Sequence, residues 1–553
     1  MGKCCSTETF CKLFSVPVSE PKSSRSFAGI AGIVAAATLL SKVFGLLRQQ
    51  AIAAVFGVGV AADAYNYAYV IPGFLLILLG GINGPFHSAI VSVLSKRRHE
   101  EAAPLIETIT TLVVGVLLLV TVGLILFADP LIDLVAPGLG RTAIGQETRL
   151  IAIQQFRIMA PMAVLAGLIG IGFGTLNAAD HYWLPSVSPL FSSLTVLIGL
   201  GILAFQLGDQ ITAPEYALLG GLVLAWSTVA GAVLQWLVQL PAQWKTGLGR
   251  FRLRFNFQQP GVRDVLRIMT PATFSSGMLQ INVYTDLFFA SFIPQAAAAL
   301  GYANLLVQTP LGIISNVILV PLLPILSRLA DPANWTDLKQ RIRQGLLLTA
   351  LTMLPLSALI IALAFPIVRV VYERFAFDQQ ASLIVTQVLI AYAVGMFFYL
   401  GRDVLVRVFY ALGDGETPFR ISIANIFLNA LLDFLLIRPF GAAGLVLATV
   451  GVNIVSMIWL LLVLDRKIAG LPWRDWSRPI AQLTAISACA GGVSWLTRWG
   501  LELGLGTEGL LPQLTQLAVA GAAGLGVFVL LAMRLGLPEM DQLIDRLRQR
   551  FSR

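Results

Sequence analysis

Fourteen apolar runs, each long enough to cross a lipid bilayer, constrain the fold of this chain more than any other feature. A membrane-spanning helix needs about 20 predominantly apolar residues. The runs lie near 28–57, 61–94, 105–128, 150–178, 184–207, 214–240, 263–293, 298–327, 340–371, 383–411, 417–437, 442–464, 477–498 and 510–534. Backbone polar groups must pair within such a segment inside hydrocarbon. The sequence therefore predicts an all-α integral membrane protein with about 14 transmembrane helices.

The composition excludes the soluble alternatives. Of the 553 residues 57% are apolar and only 12% are charged, whereas soluble domains carry about 25% charged residues. The net charge of +9 arises from cations in short loops and at the C-terminus, which is a membrane-orientation signal and predicts no nucleic-acid partner. No phosphate loop, metal motif or nucleophile elbow stands out. We therefore expect no enzyme activity and no cofactor.

Positive charges concentrate in the loops after even-numbered spans and at the C-terminus. They are Lys96, Arg97, Arg98, Lys245, Arg250, Arg252, Arg254, Arg328, Lys339, Arg341, Arg343, Arg466, Lys467, Arg474, Arg478, Arg546, Arg548, Arg550 and Arg553. Loops after odd-numbered spans carry fewer, chiefly Arg141, Arg149, Arg369, Arg374 and Arg438. Because short cytoplasmic loops are rich in Lys and Arg, the sequence predicts a multi-pass plasma (inner) membrane protein with both termini cytoplasmic.

A weak internal repeat relates span two to span eight. Tyr67-Ala68, Pro72 and Leu94-Ser95-Lys96 recur as Tyr302-Ala303, Pro310 and Leu326-Ser327-Arg328. A repeat after six spans gives parallel copies, as in many transporters, although chance similarity between apolar hairpins is an alternative. We predict two six-helix lobes and two further helices. The units are an N-terminal tail 1–26, lobes 27–242 and 263–465, a linker 243–262, a C-terminal helix pair 466–536 and a tail 537–553.

Span one carries two cations, and span two carries a helix-breaking sequence. Lys42 and Arg48 lie in an otherwise apolar helix, where charges usually face a cavity or a partner. Asp63 opens span two and is a candidate to pair with one of them. Asn83 lies within Gly80-Gly-Ile-Asn-Gly-Pro85, a break typical of a cavity wall. Snorkelling of the cations and a simple proline kink are the alternatives.

A second polar group is predicted in the other half of the chain. Asp286 lies in span seven, Asn429 and Asp433 share one face of span eleven at i and i+4, and Thr449 lies in span twelve. Carboxylate, amide and hydroxyl oxygens are ligands for a small hard cation. An Asp433–Arg438 ion pair with isolated polar neighbours is the alternative interpretation.

Several short motifs along residues 28–465 together resemble one membrane-transporter family. They are Ser41-Lys-Val-Phe-Gly-Leu-Leu-Arg48, Val55-Phe-Gly-Val-Gly59 with Ala62-Asp63-Ala64, Arg157-Ile-Met-Ala-Pro161, Leu176-Asn177 with Trp183-Leu-Pro185, Gln239-Leu-Pro241, and Tyr410-Ala-Leu-Gly-Asp414 with Thr417-Pro418. The chain resembles the MurJ (MviN) lipid II flippases of the multidrug/oligosaccharidyl-lipid/polysaccharide exporter superfamily. Two six-helix lobes plus two helices is also that family's architecture.

The resemblance implies a transporter that flips lipid II, the lipid-linked peptidoglycan precursor, to the outer leaflet by alternating access. Lys42 and Arg48 match positions implied to bind the pyrophosphate, and Asp63 matches a third polar position. Leu76 and Leu305 stand where many members carry Arg, so either the anion site has fewer cations here or cations from elsewhere in the chain replace those arginines.

The resemblance also implies a sodium site. Its ligands would be Asp286, Asn429, Asp433 and Thr449, completed by the backbone carbonyl of Leu445. Membrane lipids and the cell-wall synthesis machinery are the further partners that it implies. An exporter of another polyprenyl-diphosphate-linked oligosaccharide and a cation-coupled antiporter of the same superfamily are the rival functions.

Overall fold

Every regular element of the described chain is helical. The computed structural model describes residues 27–81, 84–94, 99–248, 252–506, 509–536 and 539–540. Its α-helices are α1 Phe27–Phe56, α2 Val60–Gly80, α3 Pro85–Leu94, α4 His99–Leu126, α5 Ala128–Val135, α6 Ala143–Met159, α7 Met162–Ala178, α8 Trp183–Val187, α9 Pro189–Leu207, α10 Ala217–Leu237, α11 Leu240–Lys245, α12 Pro260–Leu279, α13 Ile281–Ala290, α14 Ala296–Arg328, α15 Trp335–Tyr372, α16 Gln379–Ala411, α17 Glu416–Lys467, α18 Trp473–Leu505 and α19 Leu510–Met533.

By length and composition, the described helices include up to twelve membrane-spanning segments. Eleven are long and apolar enough to span a bilayer, and α6 with α7, bent by 42°, makes a twelfth. The 52 residues of α17 would extend about 78 Å, enough for two crossings of a hydrocarbon core about 30 Å thick. At Gly441 a φ of 55° divides α17 into two halves. Adding α12 and α13 as one crossing gives the count that the sequence predicts.

Helices α1 to α11 form the first bundle around α2, α7 and α10. Helix α2 packs against α6 and α7, while α10 packs against α9 and α6. Small residues permit the close approach, since a Cβ at Gly170 of α7 would lie 1.9 Å from the Leu79 carbonyl oxygen. The Tyr65 hydroxyl bonds the Thr228 hydroxyl at 3.1 Å across the buried centre of this bundle.

Helices α14 to α17 form the second bundle, against which the last two helices pack. Helix α16 contacts α14, α15 and α17, and α18 packs against both α15 and α19. The buried core of the second bundle includes Leu346, Val404 and Phe409. A Cβ at Gly524 of α19 would lie 2.9 Å from the Ala490 carbonyl oxygen of α18, so small residues again permit close packing.

Helix α12 follows the predicted lobe division least well. The sequence places its residues in the second lobe, but α12 packs mainly against α3 of the first bundle. The chain turns at Gln280 before continuing as α13, which packs against α17. The crossing formed by α12 and α13 therefore bridges the two bundles.

Candidate functional site

The two cations predicted in span one lie on a continuous helix that borders the second bundle. The Lys42 ammonium lies 3.7 Å from the point where a Cβ would stand on Gly312 of α14. The Arg48 Nε is buried and has no hydrogen-bond partner. Across the described residues, no carboxylate lies within salt-bridge distance of either side chain. The Lys42 ammonium therefore lies at the boundary with the second bundle, and no carboxylate of the described residues neutralises either cation.

Asp63 does not pair with Lys42 or Arg48, and that expectation is wrong. Its carboxylate accepts hydrogen bonds from the backbone N–H groups of Gln295 at 2.7 Å and Ala298 at 2.8 Å. These groups open α14, whose first N–H donors have no partner within the helix. A negative charge also stabilises the positive end of a helix dipole. Asp63 therefore caps α14 and joins the two bundles.

Further contacts surround Asp63 where the first bundle meets the second at one end of the molecule. The Tyr302 hydroxyl donates to the Gly57 carbonyl at 2.8 Å, and the Tyr372 hydroxyl donates to the Tyr302 carbonyl at 3.1 Å. The Ala376 N–H donates to the Ala54 carbonyl at 3.0 Å. We call these bonds, together with those of Asp63, the interlobe contact. It closes the space between the bundles at the end where α1 stops.

The break predicted in span two separates α2, which ends at Gly80, from α3, which begins at Pro85. Asn83 itself lies outside the described residues. A Cβ at Gly84 would lie 2.8 Å from the Leu78 carbonyl oxygen, so only glycine fits this turn. Leu76 is partly buried between the two apolar cores. This position therefore contributes no charge.

The predicted cation-site residues come together between α13 and the two halves of α17. The Asn429 amide donates to Asp286 Oδ1 and to Asp433 Oδ2, both at 2.8 Å. The Thr449 hydroxyl lies 3.1 Å from Asp286 Oδ2 and 3.4 Å from the Leu445 carbonyl oxygen. All five predicted groups are within one hydrogen-bonded set. We call Asp286, Asn429, Asp433 and Thr449 the carboxylate cluster.

The donor set of the carboxylate cluster fits a small cation. Asn429 and Asp433 are fully buried, and Asp433 Oδ1 has no hydrogen-bond partner. Over the part of the chain that the structure describes, Asp433 makes no salt bridge, and Arg438 is exposed. The alternative Asp433–Arg438 pair is therefore not formed. One fully buried and one partly buried carboxylate bridged by an amide leave a negative charge that a cation would neutralise.

Sequence reasoning missed the aromatic part of the interlobe contact. Tyr302 was noted only as half of a repeated dipeptide, and Tyr372 was not singled out. Both are almost fully buried, with ring centroids 5.1 Å apart. The glycine at position 57 is the one clue in the sequence to a close approach here. In the structure its φ is +55°, a conformation that glycine adopts without strain. Tyr302 of α14, which donates to the Gly57 carbonyl, is 245 residues away in the sequence, so no local sequence pattern marks the contact.

Comparison with known families accounts for this combination of features. Residues 52–506 match the profile of the lipid II flippase MurJ family. The chain belongs to this family. It is 60% identical to the probable lipid II flippase MurJ of Synechocystis sp., over 96% of this chain and 99% of that protein. It is 30% identical to the lipid II flippase MurJ of Burkholderia cenocepacia, over 83% and 88% of the two chains.

Solved structures share the fold of this chain. A lipid II flippase MurJ in an inward closed conformation superimposes with a TM-score of 0.73 at 22% identity, covering 91% of this chain and 98% of that one. An inward-facing MATE-family multidrug transporter gives 0.60 at 14% identity, over 79% and 98% of the chains. The chain is thus a multi-pass membrane protein of the MurJ family with a two-bundle transporter architecture.

Proposed function

We propose that this chain flips lipid II from the cytoplasmic to the outer leaflet of the plasma membrane by alternating access. Membership of the lipid II flippase MurJ family carries the proposal. The two bundles, with unneutralised cations on α1, supply a physical route. The lipid-linked headgroup enters between the bundles while its hydrocarbon tail stays in the bilayer.

Lys42 and Arg48 supply the charge that a pyrophosphate requires. A dianion is costly to bring into a low-dielectric region unless cations compensate it. The two side chains lie six residues apart on one helix, and neither is committed to a carboxylate in the described structure. With leucine at positions 76 and 305, we assign the anion to these two residues alone.

The interlobe contact acts as the closed gate in this scheme. Asp63 and Tyr302 join the bundles at one end, so transport requires these bonds to break and re-form. Positive charge in the loops after even-numbered spans favours an orientation with both chain termini in the cytoplasm. The interlobe contact then faces the outer side, and the bundles open there to release the headgroup.

A sodium ion bound by the carboxylate cluster supports the return step of the cycle. Asp286, Asn429, Asp433 and Thr449 provide hard oxygen atoms, and the Leu445 carbonyl lies beside them. The ion would supply positive charge that links α13 to both halves of α17. The membrane potential adds about 2.3 kcal/mol per charge for each 100 mV.

Complementation of a conditional lipid II flippase mutant tests the proposal, scored with outward exposure of labelled lipid II. We expect the wild-type chain to restore both growth and exposure, and Arg48→Ala to abolish both at normal membrane levels. Arg420→Ala, whose exposed side chain pairs with Glu416 in the first turns of α17, is the matched control and retains both. Failure of the well-expressed wild-type chain would refute lipid II as the substrate and favour another polyprenyl-diphosphate-linked oligosaccharide.

A further inference from the structure

Three asparagines lie one helical turn from members of the carboxylate cluster. Asn282 precedes Asp286 by four residues on α13, and Asn425 precedes Asn429 by four residues on the first half of α17. Asn453 follows Thr449 by four residues on the second half of α17. Residues four apart lie on the same helix face, one turn from each other. We call Asn282, Asn425 and Asn453 the asparagine layer.

All three asparagines are displaced from the cluster in the same direction. Helix α13 and the first half of α17 cross the membrane in one sense, and the second half of α17 returns in the other. A residue four positions earlier on the first two helices is therefore displaced in the same direction as a residue four positions later on the third. One helical turn is about 5.4 Å, so the layer lies at a single depth. It faces the end of the molecule that carries the turn at 412–415.

The opposite side of the cluster is apolar. One turn away in that direction stand Ala290 on α13, Ile437 on the first half of α17 and Leu445 on the second half. Ala290 and Leu445 are fully buried. These three side chains carry no oxygen ligand for a cation. The cluster is therefore closed by apolar side chains toward the interlobe contact and bordered by amides toward the other face.

One oxygen atom of the asparagine layer and one nearby hydroxyl are buried without a hydrogen-bond partner. Asn282 Oδ1 and the Tyr399 hydroxyl are buried without a hydrogen-bond partner. Tyr399 of α16 lies within electrostatic range of Asp286. Asn425 is only 3% exposed, and the Asn453 amide donates to the Thr449 carbonyl at 2.7 Å. Unsatisfied polar atoms inside a membrane are costly, and water or a passing cation would satisfy them.

The polar column continues one turn beyond the layer. Ser456 follows Asn453 by three residues, is fully buried, and its hydroxyl accepts from Arg402 Nε of α16 at 3.2 Å. Arg402 also lies 3.8 Å from the Asp403 carboxylate, which balances its charge. Polar groups thus extend from the carboxylate cluster toward the face that carries Asp414.

We propose that the asparagine layer is a hydrated route through which the coupling cation enters and leaves the carboxylate cluster from the side that carries both chain termini. The proposal rests on the cation binding given under the proposed function. The new element is the side from which the ion arrives. The carboxylate cluster exchanges its ion with the cytoplasm while the interlobe contact is closed. A dehydrated Na⁺ would meet amide and hydroxyl oxygens before it reached the carboxylates.

Cysteine accessibility in the full-length chain tests the route. The four native cysteines are first replaced by serine, and Asn453→Cys and Asn282→Cys are then introduced separately. Ala290→Cys, on the opposite side of the cluster, is the matched control. Membrane vesicles of each orientation are exposed to Ag⁺, a thiol-binding cation of small size. Thiols that remain free are counted with a fluorescent maleimide after denaturation.

We expect Asn453→Cys and Asn282→Cys to react from the cytoplasmic side at least about tenfold faster than Ala290→Cys. Saturating Na⁺ should slow this reaction, and an equal concentration of choline should not. Equal rates at the three positions, reaction from the outer side alone, or reaction indifferent to Na⁺ would each overturn the proposal. Melting temperature and growth complementation identify variants that fail to fold. Because lipid II exposure is scored separately, failure of this route is distinguishable from failure of the proposed flippase activity.

Discussion

Asp63 of α2 accepts a 2.8 Å hydrogen bond from the backbone N–H of Ala298 in α14, so a side chain of one bundle caps a helix of the other. The Gln295 N–H donates to the second oxygen of the same carboxylate. Hydrogen bonds to charged groups contribute about 1.5–3 kcal/mol each. Closure of the bundles at this end is therefore linked to the charge of Asp63.

Asp63→Asn should weaken closure without removing the side chain. The amide retains one acceptor oxygen but loses the charge, so we expect the closed arrangement to lose about 1–3 kcal/mol. Disulfide formation between Ala54→Cys and Ala376→Cys reports closure, because the Ala376 backbone nitrogen lies 3.0 Å from the Ala54 carbonyl oxygen. Cross-linking should fall in Asp63→Asn and remain unchanged in Asp129→Asn, which alters an exposed pair with Arg157. Unchanged cross-linking in Asp63→Asn would rule out this role.

Gly57→Ala should disrupt the same region for a steric reason. The φ of Gly57 is +55°, and a Cβ there would lie 2.4 Å from the Ala376 carbonyl oxygen. We expect a lower melting temperature and loss of complementation. Gly45→Ala on α1 is the control, since a Cβ at Gly45 meets nothing within 4 Å and alanine favours the helix by about 0.5–1 kcal/mol. If both variants behave alike, the close approach at Gly57 has no functional role.

The crossings could be predicted from the sequence because each carries its own signal. Every span is an apolar run, and the break between α2 and α3 is marked by Gly80, Gly81, Gly84 and Pro85. Gly441 divides α17 where the sequence predicts two spans. Only the placement of α12 differs, because the packing partner of a helix is not encoded in its own apolar pattern.

The site could be predicted only where the chemistry is carried by side chains. Asn429 and Asp433 are recognisable at i and i+4, and their meeting with Asp286 and Thr449 agrees with the hard-oxygen pattern. The partners of Asp63 are backbone N–H groups, which every residue except proline possesses. Nothing in the residue types of Gln295 or Ala298 marks them, so sequence reasoning assigned Asp63 to a cation instead.

Thr449→Val should reduce stabilisation by Na⁺ while preserving side-chain volume. A ligand that binds only the folded state stabilises it by about 2.7 kcal/mol at 100 times its Kd. We expect Na⁺, compared with choline, to raise the melting temperature of the wild-type protein in detergent, and Thr449→Val and Asp433→Asn to reduce that rise. Thr352→Val is the control, because its hydroxyl bonds carbonyls of its own helix. A full sodium response in Asp433→Asn would exclude the carboxylate cluster as the site.

Asp414, in the turn between α16 and α17, should stabilise the fold above pH 4 and lose that effect in acid. Burial raises the pKa of this carboxyl, but hydrogen bonds from Lys467 at 2.6 Å and from Thr417 outweigh burial and lower the pKa from 3.8 to about 2. A depressed folded-state pKa contributes stability above the unfolded value and loses it as pH falls toward 2. Allowing for solvent screening, Asp414→Asn should cost about 1–2 kcal/mol at pH 7. Melting temperatures of the two proteins should converge as pH falls from 4 to 2, whereas Glu416→Gln, which alters an exposed pair with Arg420, should match wild type throughout. A constant difference between Asp414→Asn and wild type down to pH 2 would show that the ionised carboxylate is not the stabilising group.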